Sequence, residues 1–285
     1  MIFDQSFLKM DRFNLLFPEW QGYGGHQEVY HGALHFCNHV TPATNYDQVH
    51  VPDHDVLKVE EDILGRSSLL NLLSNANKLL EKARPSHLFM IGGTCACEIA
   101  PVSFLNHQYD NDLAVFWFDA HGDLNTPDSS PSKRLHGMPL RSLIGEGDTQ
   151  ILSQVRRILN TEQVALVGAR DLDPAEVLFI ETKQIPVFQP KTGTQITELI
   201  DFARKSGFTK AYIHFDLDVL DPVEFPHVLV ATPNGLSISH AVQSLNMISK
   251  HLEVVGCSIV EYCPKGEGGK EQLKRLMVEG FGIDV

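Results

Sequence analysis

The feature that most constrains the fold of this 285-residue chain is a series of seven short apolar runs, each ending at small or polar residues. Each run is too short for a typical helix. Its apolar residues occupy both alternations, as in strands buried on both faces of a parallel sheet. We therefore predict strands at 13–17, 88–91, 114–118, 164–167, 185–188, 211–215 and 254–260.

Between these runs lie segments with apolar residues at helical spacing. In one of them, Ile238, Val242, Leu245 and Ile248 follow at intervals of four, three and three residues. The predicted helical segments are 56–83, 98–106, 149–159, 174–182, 194–206, 238–252 and 268–281. Strands that alternate with helices predict right-handed βαβ units.

The predicted fold class is therefore α/β, a single-domain, doubly wound, mostly parallel sheet with helices on both faces. We find no internal repeat, low-complexity tract or obvious linker, so one domain over residues 1–285 is predicted. The segment 119–137 is the exception to the alternation, a long polar loop of the kind that often carries function. In open α/β sheets, ligands bind at the carboxyl ends of the strands.

The net charge of the chain argues against some classes of binding partner. The 23 Lys and Arg against 36 Asp and Glu give a formal net charge of −13, which disfavours nucleic acid and anionic membranes as partners. No apolar stretch approaches the ~20 residues of a membrane span.

The N-terminal sequence does not resemble a signal peptide, because Asp4, Lys9, Asp11 and Arg12 interrupt any apolar core there. The five cysteines are an odd number, so they cannot all pair within the chain. We expect a cytoplasmic protein with reduced thiols.

Two strand ends concentrate metal-binding side chains. Asp119, His121 and Asp123 follow the run 114–118, and Asp216 and Asp218 follow the run 211–215. Residues at i, i+2 and i+4 of extended backbone share a face. Four carboxylates held together need cations, and two divalent ions supply +4 charge.

An oxygen-rich donor set with one imidazole suits Mn²⁺, and suits Mg²⁺ or Zn²⁺ less well. Either motif alone would more often be a loop or a helix cap. A metallophosphatase could also use such a motif, but the sequence lacks the Gly-Asn-His-Asp/Glu segment that completes that site. Both motifs at the ends of buried strands of one sheet favour a metal centre.

These segments resemble the arginase/agmatinase (ureohydrolase) family, and arginases most closely. The resemblance rests on residues 119–127 (DAHGDLNTP), 135–139 (LHGMP) and 215–222 (FDLDVLDP). Gly92-Gly93, residues 170–174 and Val260-Glu261 fall where that family has its remaining motifs. The resemblance covers 85–285 well and the first 80 residues loosely. It implies the fold shared by arginases and deacetylases.

The resemblance implies a binuclear Mn²⁺ centre in which Asp119 and Asp216 bridge the two metals. His121 and Asp218 would complete one metal site, and Asp123 would bind the other metal. Hydroxide held between the metals would attack a guanidinium carbon and release urea. Asp123 thus counts among the catalytic residues.

The resemblance also implies contacts to an amino-acid substrate. Glu261 would bind the guanidinium group, and His136 would shuttle a proton to the leaving amine. Contacts to the substrate's carboxylate and α-amino groups would come from Asn125, Ser130, Ser132 and Asp173. Without the resemblance, Glu261 could equally be a strand-end ion pair, and the serines turn caps. Asp171, Glu176 and Thr232 match family positions as supports.

The main departure from the family is Cys95, which stands where the usual ligand is histidine. That position belongs to the metal that Asp123 binds, so we predict one strong metal site and one weak or altered site. A neutral thiol is a poor Mn²⁺ ligand, whereas a thiolate favours Zn²⁺. Cys95 could instead be a small buried residue beside the site. Arg134 replaces an asparagine, and could clamp a carboxylate or fill the pocket.

The resulting prediction is a metal-dependent amidinohydrolase that cleaves L-arginine or a close guanidino analogue. One alternative is N-hydroxyarginine hydrolysis, because a less basic hydroxyguanidine is attacked more easily. The other is a non-catalytic or deacetylase-like paralogue with one weakened metal site. Agmatine is disfavoured because it lacks a carboxylate for Asn125, Ser130 and Ser132. The resemblance further implies a homo-oligomer, either a trimer or a hexamer.

Overall fold

A computed structural model describes residues 12–266 and 268–285 of the chain. Asp4, Lys9 and Asp11, which argued against a signal peptide, lie outside these residues. The described chain forms an eight-stranded parallel sheet and a separate two-stranded antiparallel hairpin. The strands are β1 (Phe13–Phe17), β2 (Asp47–Gln48), β3 (Val59–Glu60), β4 (Ile63–Leu64), β5 (Leu88–Gly92), β6 (Ala114–Phe118), β7 (Val164–Val167), β8 (Val187–Phe188), β9 (Lys210–Phe215) and β10 (Glu253–Ile259).

The predicted α/β fold class is confirmed. Each of the seven apolar runs contributes a strand to the large sheet, although the run 185–188 does so only at Val187–Phe188. The strand order of this sheet is β2-β1-β5-β10-β9-β6-β7-β8. All its pairings are parallel, including β6 with β7 and with β9. The domain boundaries 1–285 stay a prediction.

The helices match the predicted segments in part. They are α1 (Glu28–His39), α2 (Arg66–Ala83), α3 (Ile99–Gln108), α4 (Pro139–Leu143), α5 (Thr149–Leu152), α6 (Pro174–Lys183), α7 (Gly193–Ser206), α8 (Ile238–His251) and α9 (Lys270–Arg275), and a π-helical segment (Leu276–Phe281) follows α9. Among the described helices, none has both the length and the apolar character that crossing a bilayer requires.

Two predicted helices were wrong in extent, and two helices of the structure, α1 and α4, were not predicted. The segment 56–83 becomes helical only at Arg66, because residues 59–64 form the β3–β4 hairpin. Glu61 and Asp62 make its two-residue turn with φ of 48° and 59°, the left-handed pair that such hairpins need. The helix at 149–159 ends at Leu152. Helix α1 was not predicted, although it buries Val29, Gly32, Ala33 and Phe36 on one face.

Apolar side chains fill both faces of the sheet. On β6, Val115 and Trp117 belong to one buried cluster, together with residues of α2, α3 and α6. Phe116 and Phe118 belong to a second cluster on the opposite face, together with residues of α7 and α8. Successive side chains of one strand thus point into two different cores, one on each face of the sheet. A doubly wound sheet has this arrangement because helices cover both of its faces.

The strand order positions the site. The chain leaves β5, passes over the places of β10 and β9, and continues in β6, β7 and β8. Strands β9 and β10 later fill the gap between β5 and β6. The carboxyl ends of these four adjacent parallel strands therefore meet at one edge of the sheet, where open α/β sheets bind ligands.

Candidate metal centre and active site

A cavity of about 210 Å³ opens at this edge. Eleven of the thirteen predicted site residues line it, namely Cys95, His121, Asp123, Asn125, Ser130, Ser132, His136, Asp173, Asp216, Asp218 and Glu261. Asp119 lies beneath them and is buried. The guanidinium group of Arg134 lies 5.2 Å from the centre of the Tyr23 ring, and Arg134 does not line the cavity.

One group of potential ligands comprises Asp119, His121 and Asp218. The His121 Nδ1 atom is 3.0 Å from Asp218 Oδ2 and 3.3 Å from Asp119 Oδ1. Backbone amides fix the carboxylates: Ala120 N donates to Asp218 Oδ1 and His121 N to Asp119 Oδ1. Burial would lower the pKa of His121, but the Asp218 and Asp119 carboxylates raise it overall.

Cys95 lies on the loop after β5 and is buried. Its Sγ atom donates a hydrogen bond to Asp216 Oδ2 at 3.1 Å and lies 3.9 Å from Asp119 Oδ2. Burial and the Asp123 carboxylate raise the pKa of the thiol. Gly93 is required in this loop, since a Cβ atom there would lie 1.9 Å from the Glu19 carbonyl oxygen.

Four carboxylates at this edge, those of Asp123, Asp216, Asp218 and Glu261, have raised pKa values. Burial is the main cause for Asp123, Asp216 and Glu261, and the neighbouring carboxylates Asp119 and Asp218 add to it. Two of their oxygens, Asp123 Oδ2 and Glu261 Oε1, are buried without a hydrogen-bond partner among the described residues. Clustered acids with unpaired buried oxygens suit a site that receives cations.

Two residues that lie beside this cluster were not predicted from the sequence. His214 and Glu98 are fully buried, and His214 Nδ1 lies 3.1 Å from Glu98 Oε1. The residues Cys95, Asp119, Asp123 and His214 form a second group whose ligand atoms all lie within 4.8 Å of one another. His214 precedes Asp216 by two residues, so the same i, i+2 spacing could have found it. Its place inside an apolar run obscured that signal.

The remaining predicted residues surround the cavity mouth. Asn125 Nδ2 donates to Asp173 Oδ2 at 2.8 Å, and the Ser130 and Ser132 hydroxyls are 3.4 Å apart. His136 stacks on Tyr23 with the ring centres 4.3 Å apart. Burial and the charge of His121 lower the pKa of His136 to about 3.

The supporting residues Asp171, Glu176 and Thr232 differ in position. Glu176 accepts hydrogen bonds from Leu124 N and Asp173 N, so it ties the long loop to the start of α6. The Asp171 Oδ2 atom lies 3.9 Å from His121 Nε2. Thr232 is absent from the cavity lining, and its carbonyl oxygen accepts a hydrogen bond from Arg170.

The sequence model of the arginase family matches residues 28–279. The chain belongs to the arginase family. The arginase of Staphylococcus aureus (strain COL) is 30% identical over 231 residues, which are 78% of this chain and 74% of that protein. The predicted membership of the arginase/agmatinase (ureohydrolase) family is thereby confirmed. This arginase-family protein is an enzyme, a hydrolase of the ureohydrolase type.

Solved structures support the fold. The structure of Entamoeba histolytica arginase in complex with L-ornithine has a TM-score of 0.83 and 23% identity, and covers 95% of this chain and 98% of its own. The structure of formimidoylglutamase from Bacillus subtilis has a TM-score of 0.71 and 17% identity, and covers 95% of this chain and 86% of its own. The same fold thus occurs in enzymes named for different substrates.

Proposed function

We propose that this arginase-family enzyme hydrolyses the guanidino group of L-arginine or a close analogue and releases urea. The observation that carries the proposal is the position of Glu261. Its buried, unpartnered oxygen lies in the same cavity as the carboxylate–histidine cluster and the polar rim. A guanidinium group would satisfy that oxygen with paired, charge-assisted hydrogen bonds.

The residues of the cluster form two sets, one for each of two divalent metal positions. Asp119, His121, Asp216 and Asp218 would hold the stronger metal ion, which we propose to be Mn²⁺. Asp123 and Cys95 lie at the weaker position. Divalent ions in such a site lower the pKa of water, so that hydroxide forms near neutral pH.

The other cavity residues bind and orient the substrate. Glu261 holds the guanidinium group beside the carboxylate cluster. Ser130, Ser132 and Asn125 bind the α-carboxylate, and Asp173 binds the α-amino group. The Asp173 carboxylate already accepts a hydrogen bond from Asn125, so these two side chains are mutually positioned.

His136 transfers the proton. Its low pKa leaves the imidazole neutral near pH 7. In this role it would take up a proton only as the reaction proceeds and pass it to the leaving amine. Arg134 acts through Tyr23, on whose ring its guanidinium lies, and not by direct contact with the substrate.

Cys95 favours one alternative substrate, N-hydroxy-L-arginine. A hydroxyguanidine is less basic than a guanidinium group and its carbon is attacked more easily, so a weakened second metal position would suffice. The experiment measures ornithine or putrescine formation from L-arginine, N-hydroxy-L-arginine and agmatine with added Mn²⁺, and the metal content of the same sample.

We expect L-arginine to be the fastest substrate and agmatine the slowest, because agmatine lacks the carboxylate that Ser130 and Ser132 bind. If N-hydroxy-L-arginine is turned over many-fold faster than L-arginine, then N-hydroxy-L-arginine, and not L-arginine, is the substrate. An enzyme that retains its metal but cleaves none of the three would overturn both.

We also propose a cytoplasmic role in arginine metabolism, with assembly as a homotrimer or homohexamer. The assembly proposal rests on family resemblance and is tested by light scattering of the purified protein.

A further inference from the structure

The second metal position contains an imidazole from another strand. The family's usual histidine is replaced by Cys95, but His214 reaches the same place from β9. Its Nε2 atom groups with Cys95 Sγ and with carboxylate oxygens of Asp119 and Asp123. All four side chains are buried. Both His214 Nε2 and Asp123 Oδ2 lack a hydrogen-bond partner among the described residues.

The ring of His214 is held in one orientation. Its Nδ1 atom lies 3.1 Å from Glu98 Oε1, and the other oxygen of Glu98 accepts a 2.7 Å hydrogen bond from Tyr212. The imidazole also stacks on Trp117 with ring centres 3.7 Å apart. In the tautomer whose Nδ1–H donates to the Glu98 carboxylate, the lone pair of Nε2 points into the cluster. This carboxylate–histidine arrangement is the one that surrounds zinc ligands.

The distances suit ligands of one ion better than a direct ion pair. His214 Nε2 lies 3.6 Å from Asp119 Oδ2, too far for a hydrogen bond. Two nitrogen or oxygen donors bound to one tetrahedral ion are about 3.4 Å apart, and a sulfur and an oxygen about 3.6 Å apart. The corresponding distance from Cys95 Sγ to Asp119 Oδ2 is 3.9 Å.

We propose that His214 and Cys95, with Asp119 and Asp123, form a second metal position that selects Zn²⁺. The inference rests on the divalent-metal centre of the proposed function. A thiolate and an imidazole favour zinc, whereas the oxygen-rich set around His121 favours manganese. The thiol proton of Cys95 is released to solvent when the ion binds. The centre thus holds two different metals, and Glu98 is a positioning residue for His214.

The first test is metal content after equilibration of metal-free enzyme with one equivalent of Zn²⁺ and a large excess of Mn²⁺, because Zn²⁺ binds most protein sites more tightly than Mn²⁺. We expect one zinc and one manganese per chain in the wild type. His214→Gln should lose the zinc and keep the manganese, and the matched variant His251→Gln, at the exposed end of α8, should keep both. Two manganese ions in the wild type, or undiminished zinc affinity in His214→Gln, would overturn the proposal.

The second test reads the ligands themselves and needs no variant that folds poorly. X-ray absorption at the zinc edge of the wild-type protein should show one sulfur at about 2.3 Å and one imidazole nitrogen at about 2.0 Å. A shell without sulfur, or without imidazole, contradicts the assignment. Cobalt in place of zinc should give a thiolate-to-cobalt charge-transfer band that Cys95→Ser abolishes.

The third test addresses Glu98. Glu98→Gln should weaken zinc binding by about 10- to 100-fold without loss of the manganese, as expected for a residue that orients a ligand. Unchanged zinc affinity would remove Glu98 from the assignment. Ornithine release, measured in parallel, separates the two proposals. Zinc bound through His214 in an enzyme that cleaves no guanidino substrate leaves the metal site standing and removes the proposed function.

Discussion

Glu261 and Asp123 adopt left-handed backbone conformations, with φ of 61° and 54°. Such conformations cost on the order of 1 kcal/mol for a residue with a side chain. Both side chains also bury an oxygen that has no partner among the described residues. Unfavourable backbone and unpaired charge at the same two positions are typical of a site shaped for a ligand and not for stability.

Glu261→Gln tests the guanidinium contact. We expect kcat/KM for L-arginine to fall by about 100-fold or more. Charged hydrogen bonds contribute about 1.5–3 kcal/mol each, and each 1.36 kcal/mol is a factor of ten. Metal content should stay at the wild-type level. An unchanged kcat/KM would remove Glu261 from substrate binding.

His136→Asn tests the proton transfer. The loss of a general acid–base group should lower kcat by about 10²- to 10⁴-fold with little change in KM. Steady-state kinetics with L-arginine provides both constants, and metal analysis checks that the centre is intact. If kcat is retained, the proton reaches the leaving amine by another route.

At the scale of elements, the loop between β5 and α3 is held by its neighbours. Gly93 N and Thr94 N donate to the carbonyl oxygens of Phe17 and Glu19, and Glu261 N donates to the carbonyl oxygen of Gly93. The buried Glu19 carboxylate accepts from Gly22 N and from the Thr94 hydroxyl. The segments after β1, β5 and β10 are thereby fixed together, and with them Cys95.

This buried carboxyl group predicts a pH dependence of stability. Burial raises the pKa of Glu19 from 4.5 to about 7. A group whose folded-state pKa is raised contributes stability that is fully present below pH 4.5 and is lost as the pH rises through 7. The difference is on the order of 3 kcal/mol. Glu19→Gln should therefore remove part of the loss of stability between pH 4.5 and 7.

Urea denaturation of the metal-free protein at pH 4.5 and pH 7.5 measures this effect. The control is Glu271→Gln, because that side chain is 88% exposed and its replacement should leave the pH slope unchanged. Equal slopes for Glu19→Gln and the wild type would show that Glu19 does not titrate as described.

At the scale of the whole molecule, the net charge of −13 is partly a property of the site. Five acidic residues, Asp119, Asp123, Asp216, Asp218 and Glu261, are buried at one edge of the sheet. His121 lies within 3.3 Å of two of these carboxylates and the Arg170 guanidinium lies near Asp218, but the acidic groups outnumber these cations. Metal ions should therefore contribute strongly to the stability of the folded chain.

Removal of metal tests this. A chelator should lower Tm, and divalent metal should restore it. An ion present at 1,000 times its Kd adds about 4 kcal/mol, or roughly 8 °C or more for a chain of this size. Differential scanning calorimetry at constant pH measures the shift. Asp119→Asn should remove most of the response to metal. A wild-type Tm that is insensitive to both treatments would contradict a resident metal centre.

The sequence alone determined the fold class, the places of most strands, and the acidic and histidine residues that follow two of them. Strands buried on both faces need continuous apolar runs, and the runs at 88–91, 114–118 and 211–215 are too short to form helices. Strand-end residues such as Asp119 and Asp216 then had to meet, because parallel strands end at one edge. Elements stabilised by turn geometry, such as the β3–β4 hairpin, carried no such signal.

Only the tertiary structure placed His214 beside Cys95 and Glu98. His214 belongs to β9 and the other two follow β5, and β10 lies between these two strands. Their approach depends on side-chain direction and on the packing of Trp117 and Tyr212, which spacing along the chain does not encode. The family resemblance of the sequence therefore indicated that Cys95 stands where a histidine ligand is usual, and the fold showed that the His214 imidazole lies near that cysteine.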